Sequence, residues 1–313
     1  MKTVHVAVGV VTDSQGRVLV ALRPKDVHQG GLWEFPGGKC EPGETIGQAL
    51  SRELREELGI EVIEDAPLCC IRHDYPDKRV LLEVRRVLAF AGEPVGREGQ
   101  PLRWADIQNL NPAEFPAANA AIIHRLRMPD RIAITASAAT VPALQEEVFR
   151  LLQQRLPVIH LRQRTLSEAT LQALIPDLLA QCQRQGCALV WNTTPERFVT
   201  APVDGLHVSS AIASRLQARP VGAEVGFSVS CHSLAELEHA STIGADYALL
   251  SPVAQTTSHP EAPVLGWPRF AELSAGVDLP IYALGGMQIA DIPQALRHGA
   301  AGVAAISAFA VSR

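Results

Sequence analysis

The sequence predicts two consecutive α/β domains, a mixed α/β domain over residues 1–128 and a (β/α)8 barrel over residues 131–313. Three observations lead to this. At 313 residues the chain is longer than one ordinary domain. All four lysines (Lys2, Lys25, Lys39, Lys78) precede residue 80 and the last 185 residues hold none. That break falls near Met128-Pro129-Asp130, after a helical pattern over residues 118–127, and leaves room for only a short linker. From Arg131 onward, short apolar runs alternate with amphipathic ones eight times, as parallel strands joined by helices do.

In the first domain, residues 4–11 and 18–22 read as strands around a Ser14-Gln15-Gly16 turn. Residues 45–58 read as a helix, with Leu50, Leu54 and Leu58 on one face. Residues 79–90 suggest a further strand, one face of which is made polar by Glu83, Arg85 and Arg86. In the second domain the strand candidates are 131–135, 157–162, 188–192, 205–209, 224–230, 247–252, 280–285 and 302–307. A barrel of this kind works at the C-terminal ends of its strands. Because the sequence stops just after the eighth run, the closing helix is expected to be short or absent.

Composition narrows the function. A net charge of −5 and a pI near 6.1 give no basic footprint for a nucleic-acid polymer. A small phosphate-bearing molecule would instead be met by a metal. No stretch reaches the 18 uncharged apolar residues of a membrane span, and the N-terminus lacks a signal-peptide layout, so a cytoplasmic location is expected. Cys40, Cys69, Cys70, Cys182, Cys187 and Cys231 show no zinc-type spacing and are expected to be reduced, mostly buried thiols.

Chemistry concentrates in residues 38–60. Gly38, Glu44, Arg52, Glu53, Leu54, Glu56, Glu57, Gly59 and Ile60 fill every position of the pattern GX5EX7REUXEEXGU, where U is aliphatic. Glu53, Glu56 and Glu57 lie three and four residues apart on a helix, so their carboxylates project from one side. Carboxylates so held repel one another unless a cation sits between them, and a hard divalent ion with oxygen ligands fits that need. Pro36-Gly37-Gly38 lets the backbone approach the same ion closely. An acidic helix face is most often merely solvated, but nine specified positions argue against that here.

This run resembles the Nudix box of the Nudix hydrolases, which cleave nucleoside diphosphates linked to another group, and the resemblance implies an α/β/α sandwich. Residues 32–39 (LWEFPGGK), 97–101 (REGQP) and 115–119 (FPAAN) narrow it to the MutT-type 8-oxo-dGTP diphosphatases, over about residues 3–128. That branch implies a nucleotide-pool-cleaning enzyme and a small-molecule nucleotide substrate, 8-oxo-dGTP or a related oxidised purine nucleoside triphosphate, cut to the monophosphate and pyrophosphate. It implies Mg2+, or Mn2+ in its place, held by Gly37, Glu53, Glu56, Glu57 and Glu98. Asn119 would read the oxidised base edge, since an amide carries both donor and acceptor; the alternative is an N-cap of the helix that follows. Arg23 would lie beside the nucleotide with Gly37, Gly38 and Lys39, or be an ordinary surface arginine. Glu53 is the candidate general base and Glu98 the runner-up, while Arg52 and Glu44 would orient the metal ligands. The segment Leu82-Glu83-Val84-Arg85-Arg86 departs from the family's aromatic, apolar strand; it alters the nucleotide pocket wall or makes a surface for the second domain.

In the barrel, His160-Leu161-Arg162-Gln163-Arg164, Ser230-Cys231-His232, Gly244-Ala245-Asp246-Tyr247, Leu284-Gly285-Gly286-Met287 and residues 299–307 resemble thiamine-phosphate synthase and its thiazole-tautomerase relatives. The resemblance implies a substrate phosphate held by the amides of Gly285-Gly286 and of Ile306-Ser307, as in other TIM-type barrels. Arg162 and Arg164 would clamp a diphosphate, because guanidinium forks match phosphate oxygens. The family's catalytic groups are replaced, however. Its two metal-chelating aspartates correspond to Thr193 and Ile212, a lysine to His259 and a first-strand aspartate to Ala136, and the tautomerase histidine to Pro252. With no lysine in the barrel, Schiff-base chemistry is excluded. His207 and His232 are read as structural. The barrel is therefore expected to be phosphate-binding and non-catalytic, taking a thiazole-phosphate-like or thiamine-pathway ligand. Two rival readings stand beside this one: the first domain hydrolyses a thiamine-pathway diphosphate whose product the barrel binds, or the barrel is a ligand-sensing module.

Overall fold

The computed structural model describes residues 3–27, 29–75, 79–256 and 263–309. Lys2, Lys78 and His259, named above, lie outside them. The chain forms two compact units, Met1–Met128 and Pro129–Arg313.

The first unit holds strands β1 (Thr3–Val11), β2 (Val18–Leu22), β3 (Trp33–Glu34), β4 (Gly37–Lys39), β5 (Glu61–Asp74), β6 (Arg79–Ala91) and β7 (Leu102–Ala105), with helices α1 (Ile46–Leu58) and α2 (Ala117–Arg127). One sheet runs β4-β1-β6-β5, with β1 and β6 parallel, and a smaller one runs β3-β2-β7. The two helices lie on different apolar clusters. Leu50, Leu54 and Leu58 of α1 pack with Ala7, Val11 and Leu19, while Ile122 and Ile123 of α2 pack with Val8, Val10, Phe35 and Leu82. Sheet between helices is the α/β/α sandwich.

Helix α1 starts where its capping box allows. The Thr45 side chain accepts from the Gln48 N–H at 3.3 Å, and Gln48 Oε1 accepts from the Thr45 N–H at 2.8 Å. It stops at Gly59, whose φ of 71° is open to glycine and strained for other residues. The polar face of β6 is satisfied by neighbouring strands: Glu83 pairs with His5 at 2.6 Å, and Arg85 pairs with Asp65.

The second unit is a closed barrel of eight parallel strands: β8 (Arg131–Ile134), β9 (Val158–Leu161), β10 (Ala188–Asn192), β11 (Gly205–Val208), β12 (Gly226–Cys231), β13 (Tyr247–Leu250), β14 (Ile281–Leu284) and β15 (Gly302–Ala305). Pairing of β15 with β8, Val303 opposite Arg131, closes it. Helices α3 (Val141–Gln153), α4 (Glu168–Arg184), α5 (Pro195–Phe198), α6 (Ser210–Ala213), α7 (Leu234–Thr242), α8 (Gly266–Ala275) and α9 (Ile292–Arg297) fill the seven connections. After β15 the described residues hold one 3-10 turn, Ser307–Phe309. Strand alternation sends Leu206, Val208, Phe227 and Val229 into the layer beneath the helices. The opposite face of β11 and β12 turns His207, Ser228 and Ser230 into the barrel.

Cys182, Cys187 and Cys231 are buried, Cys40, Cys69 and Cys70 half-buried, and no two of the six are joined in a disulfide. Among the described residues no helix is long and apolar enough to cross a membrane.

Candidate functional site

With its leucines facing the core, α1 carries Glu53, Glu56 and Glu57 along its flank, and Arg52 binds them to the preceding strand. The Arg52 guanidinium grips Glu44 in a fork, Nε to Oε1 at 2.8 Å and Nη2 to Oε2 at 2.9 Å. It also donates to Glu53 Oε1 at 2.9 Å and to the Lys39 carbonyl at 3.0 Å. The bonds from Arg52 and from the Glu41 N–H hold the Glu44 carboxyl down at about 2.

Glu57 is the opposite case. Its Oε2 accepts from the Gly37 N–H at 3.1 Å. Burial pushes its pKa up to about 8, and the negative charges of Glu34, Glu53 and Glu98 push the same way. Four carboxylates thus share one region although they come from three segments.

Glu98 reaches the helix on a loop that completes the end of α1. The N–H groups of Val95 and Arg97 donate to the carbonyls of Leu58 and Glu57 at 3.0 and 2.9 Å, and Gln100 Nε2 adds a bond to Glu57 O at 3.1 Å. These carbonyls have no partner within the helix, so the loop takes up bonds that α1 leaves open.

The backbone of β4 passes close to the same carboxylates. A Cβ on Gly38 would lie 2.2 Å from the Glu53 carboxylate, and one on Gly37 would lie 2.2 Å from the Ala7 carbonyl. At Gly37 the backbone leaves no room for a side chain, and at Gly38 a side chain would have to push the Glu53 carboxylate aside. The donor set is all oxygen, without thiol or imidazole, and crowded in negative charge. It therefore fits a hard divalent cation such as Mg2+ or Mn2+. Among the described residues, no three His, Cys, Asp or Glu side chains already close on one point. Glu53 is turned to Arg52, Glu57 to Gly37, and Glu56 is exposed.

Beside this face lies a cavity of about 290 Å3. Val4, Val6, Val8, Val80, Leu82 and Phe35 make its apolar wall, and Arg23, Glu34, Lys39 and Asn119 its polar one. Arg23 is no loose surface arginine: its Nη1 pairs with Glu34. Burial raises the Glu34 pKa, against the pull of Arg23. The segment that departs from the family pattern contributes Leu82 to the wall, so that wall stays apolar.

The N-cap alternative for Asn119 is overturned. Helix α2 begins at Ala117 behind Pro116, so Asn119 lies inside the first turn, 8% exposed. Its Oδ1 accepts from the Phe35 N–H at 3.3 Å. Glu34, which sequence reasoning did not single out, joins cavity to carboxylates; its only sequence signal was its place just before Phe35-Pro36-Gly37-Gly38.

In the barrel, Arg162, Arg164, Gly285, Gly286, Ile306 and Ser307 all line one cavity of about 1160 Å3 at the C-terminal strand ends, together with Thr193, Ile212 and Pro252. Its wall also includes a buried polar network. His207 bonds Ser228 through Nδ1 and Ser230 through Nε2, each at 2.8 Å, and His160 Nε2 bonds the Tyr247 hydroxyl at 2.8 Å. Burial lowers the pKa of His207 to about 3 and that of His160 far below its ordinary value, so both rings are neutral. His232 bonds the Ser251 carbonyl at 2.8 Å. The sequence showed each of these residues, but not that the register brings His207, Ser228 and Tyr247 side by side.

A family model described as "NUDIX domain" matches residues 7–125, and one described as "Thiamine monophosphate synthase" matches residues 132–309. The first unit is 38% identical over 127 residues to an 8-oxo-dGTP diphosphatase of Escherichia coli (strain K12), a match covering 41% of this chain and 98% of that one. It is 36% identical over 134 residues to a CTP pyrophosphohydrolase of the same organism, covering 41% and 98%. The second unit is 29% identical over 184 residues to a putative thiamine-phosphate synthase 2 of Aquifex aeolicus (strain VF5), covering 59% and 99%. With its complete acidic motif on α1 and its eight-stranded barrel, the chain belongs to the Nudix hydrolases in its first unit and to the thiamine monophosphate synthase family in its second.

Proposed function

We propose that the first unit hydrolyses 8-oxo-dGTP, or a closely related oxidised purine nucleoside triphosphate, to the monophosphate and pyrophosphate. The observation that carries this reading is a buried amide, Asn119, in the wall of a cavity that adjoins the carboxylate face. Its oxygen is engaged by the Phe35 N–H, which fixes the amide plane and leaves its NH2 group for an acceptor on a purine edge. The apolar wall takes the base, and Arg23 and Lys39 supply positive charge beside the phosphates.

Glu53, Glu56, Glu57, Glu98 and the Gly37 carbonyl would hold a divalent ion, which when bound neutralises and polarises the phosphoryl oxygens of the diphosphate bridge. Glu53 is the base that takes the proton of the attacking water. Arg52 occupies its Oε1, so Oε2 is the atom that receives the proton. Arg52, braced on Glu44, keeps that carboxylate aimed.

The test is kcat/KM for 8-oxo-dGTP, dGTP, CTP and thiamine-type diphosphates, on the whole chain and on Glu53→Gln. A preference of about 100-fold for the oxidised nucleotide, with its hydrolysis lost in Glu53→Gln, is the expected result. A flat nucleotide profile with a faster thiamine-type diphosphate would replace this reading with the one-pathway alternative. For the barrel we infer a phosphate-binding role without catalysis, favoured by Thr193 and Ile212 standing in the cavity wall at the positions of the family's metal-chelating aspartates.

A further inference from the structure

The barrel's charge balance carries one inference more. Arg162 and Arg164 lie two positions apart on the segment that follows β9, both in the cavity wall. Burial and the neighbouring charge of Arg164 both work against the charge on Arg162. Among the described residues neither guanidinium has a carboxylate partner, and the one carboxylate in the described wall, Glu168, is taken by Arg197 at 3.0 Å. The buried imidazoles at the floor, His160 and His207, are neutral and add no charge of either sign. Apart from Glu168 the described wall holds no carboxylate that could take a metal ion.

A diphosphate that enters with a divalent ion needs protein carboxylates to hold that ion. Here the wall offers the reverse: two close positive charges that repel each other until an anion comes between them. We propose that the barrel cavity binds a phosphorylated small molecule as the bare, metal-free anion, with Arg162 and Arg164 supplying the whole countercharge. This rests on the reading of the barrel as phosphate-binding. It parts the two units chemically: the first engages phosphate through a cation held by glutamates, the second through guanidinium forks without a metal.

Isothermal titration of the full chain with inorganic pyrophosphate and with inorganic phosphate, in EDTA and in Mg2+, tests it. The expected result is a site whose Kd in EDTA stays within about threefold of its value in Mg2+. Arg162→Ala and Arg164→Ala should each weaken it at least tenfold, on the order expected for a charge-assisted hydrogen bond. Arg164 is exposed, so its variant reports even where Arg162→Ala folds poorly. Hydrolysis of 8-oxo-dGTP by both variants serves as the control for an intact first unit, and should match wild type. Binding that needs Mg2+ overturns the proposal while leaving a phosphate-binding barrel in place. Binding in EDTA that neither variant weakens overturns it by putting the anion elsewhere. No binding of either anion at millimolar concentration removes the phosphate-binding reading itself.

Discussion

Asn119→Ala removes a side chain that is 8% exposed and whose oxygen holds the Phe35 N–H at 3.3 Å. Two losses follow, and they read out separately. In the free protein the Phe35 N–H loses its acceptor, which costs about 1–3 kcal/mol of stability when the group stays dry. With the nucleotide bound, the base edge loses its amide partner. One or two hydrogen bonds, together with the unpaired groups left behind, come to about 2–4 kcal/mol, or roughly 30- to 1000-fold in kcat/KM for 8-oxo-dGTP. CTP presents a different edge and should change by about threefold or less. Steady-state kinetics on both nucleotides, well below the unfolding midpoint, provide the assay. Asn119→Asp is the companion variant, because it keeps the acceptor for Phe35 and replaces the NH2 donor with a carboxyl oxygen. If both variants keep 8-oxo-dGTP hydrolysis within threefold of wild type while Asn119→Ala loses stability, Asn119 braces the backbone at Phe35 and the base-reading argument is refuted.

The remaining predictions concern the acid cluster and the barrel. At saturating Mg2+, Glu53→Gln should lower kcat by about 10²–10⁴ with little change in KM for the nucleotide, since it removes proton transfer while Glu56, Glu57 and Glu98 remain to hold the ion; a raised KM at unchanged kcat would transfer the base to Glu98. Gly38→Ala should fold, because the atoms it meets are the far end of the Glu53 side chain, yet lose at least tenfold in kcat by displacing that carboxylate. Circular dichroism and kinetics on the same sample check both halves. The barrel should lose stability in acid. His207 is neutral when folded, with its pKa at about 3, and protonates near 6.5 when unfolded. Its contribution is thus fully present above pH 6.5 and declines as pH falls toward 3, by about 1.4 kcal/mol per unit, or about 2 kcal/mol by pH 5. Urea unfolding of the barrel at pH 7 and pH 5 measures this, and His207→Gln should lessen the dependence, leaving the part that the buried His160 contributes.

Much of this architecture can be read from the chain because it rests on local signals. Each barrel strand is a short apolar run bounded by polar turns, and all eight fall within about two residues of the expected positions. The acidic helix was equally plain, since its capping box and its leucines at i, i+4 and i+8 are written in one segment. Strand β5 was not read: it mixes charged residues with Pro67, and its register with β6 slips near Val62, Glu64 and Pro67. Strands β3, β4 and β7 are too short to show a period. The N-cap alternative for Asn119 fails because Pro116, with φ already near −53°, holds the cap position and the helix starts at Ala117. The His207–Ser228 and His160–Tyr247 bonds join strands 21 and 87 residues apart, and no local pattern announces such pairs.

The loop at the end of α1 has a further consequence. The N–H groups that terminate the helix are on the same short loop that delivers Glu98, so helix integrity and acid placement are one mechanical element. A substitution that frays only the last turn, too little to move a melting curve, should already slacken Glu98 and Glu57. Turnover is then a finer strain gauge for this helix than any unfolding experiment, and variants selected only for thermal stability will pass through with their activity quietly altered.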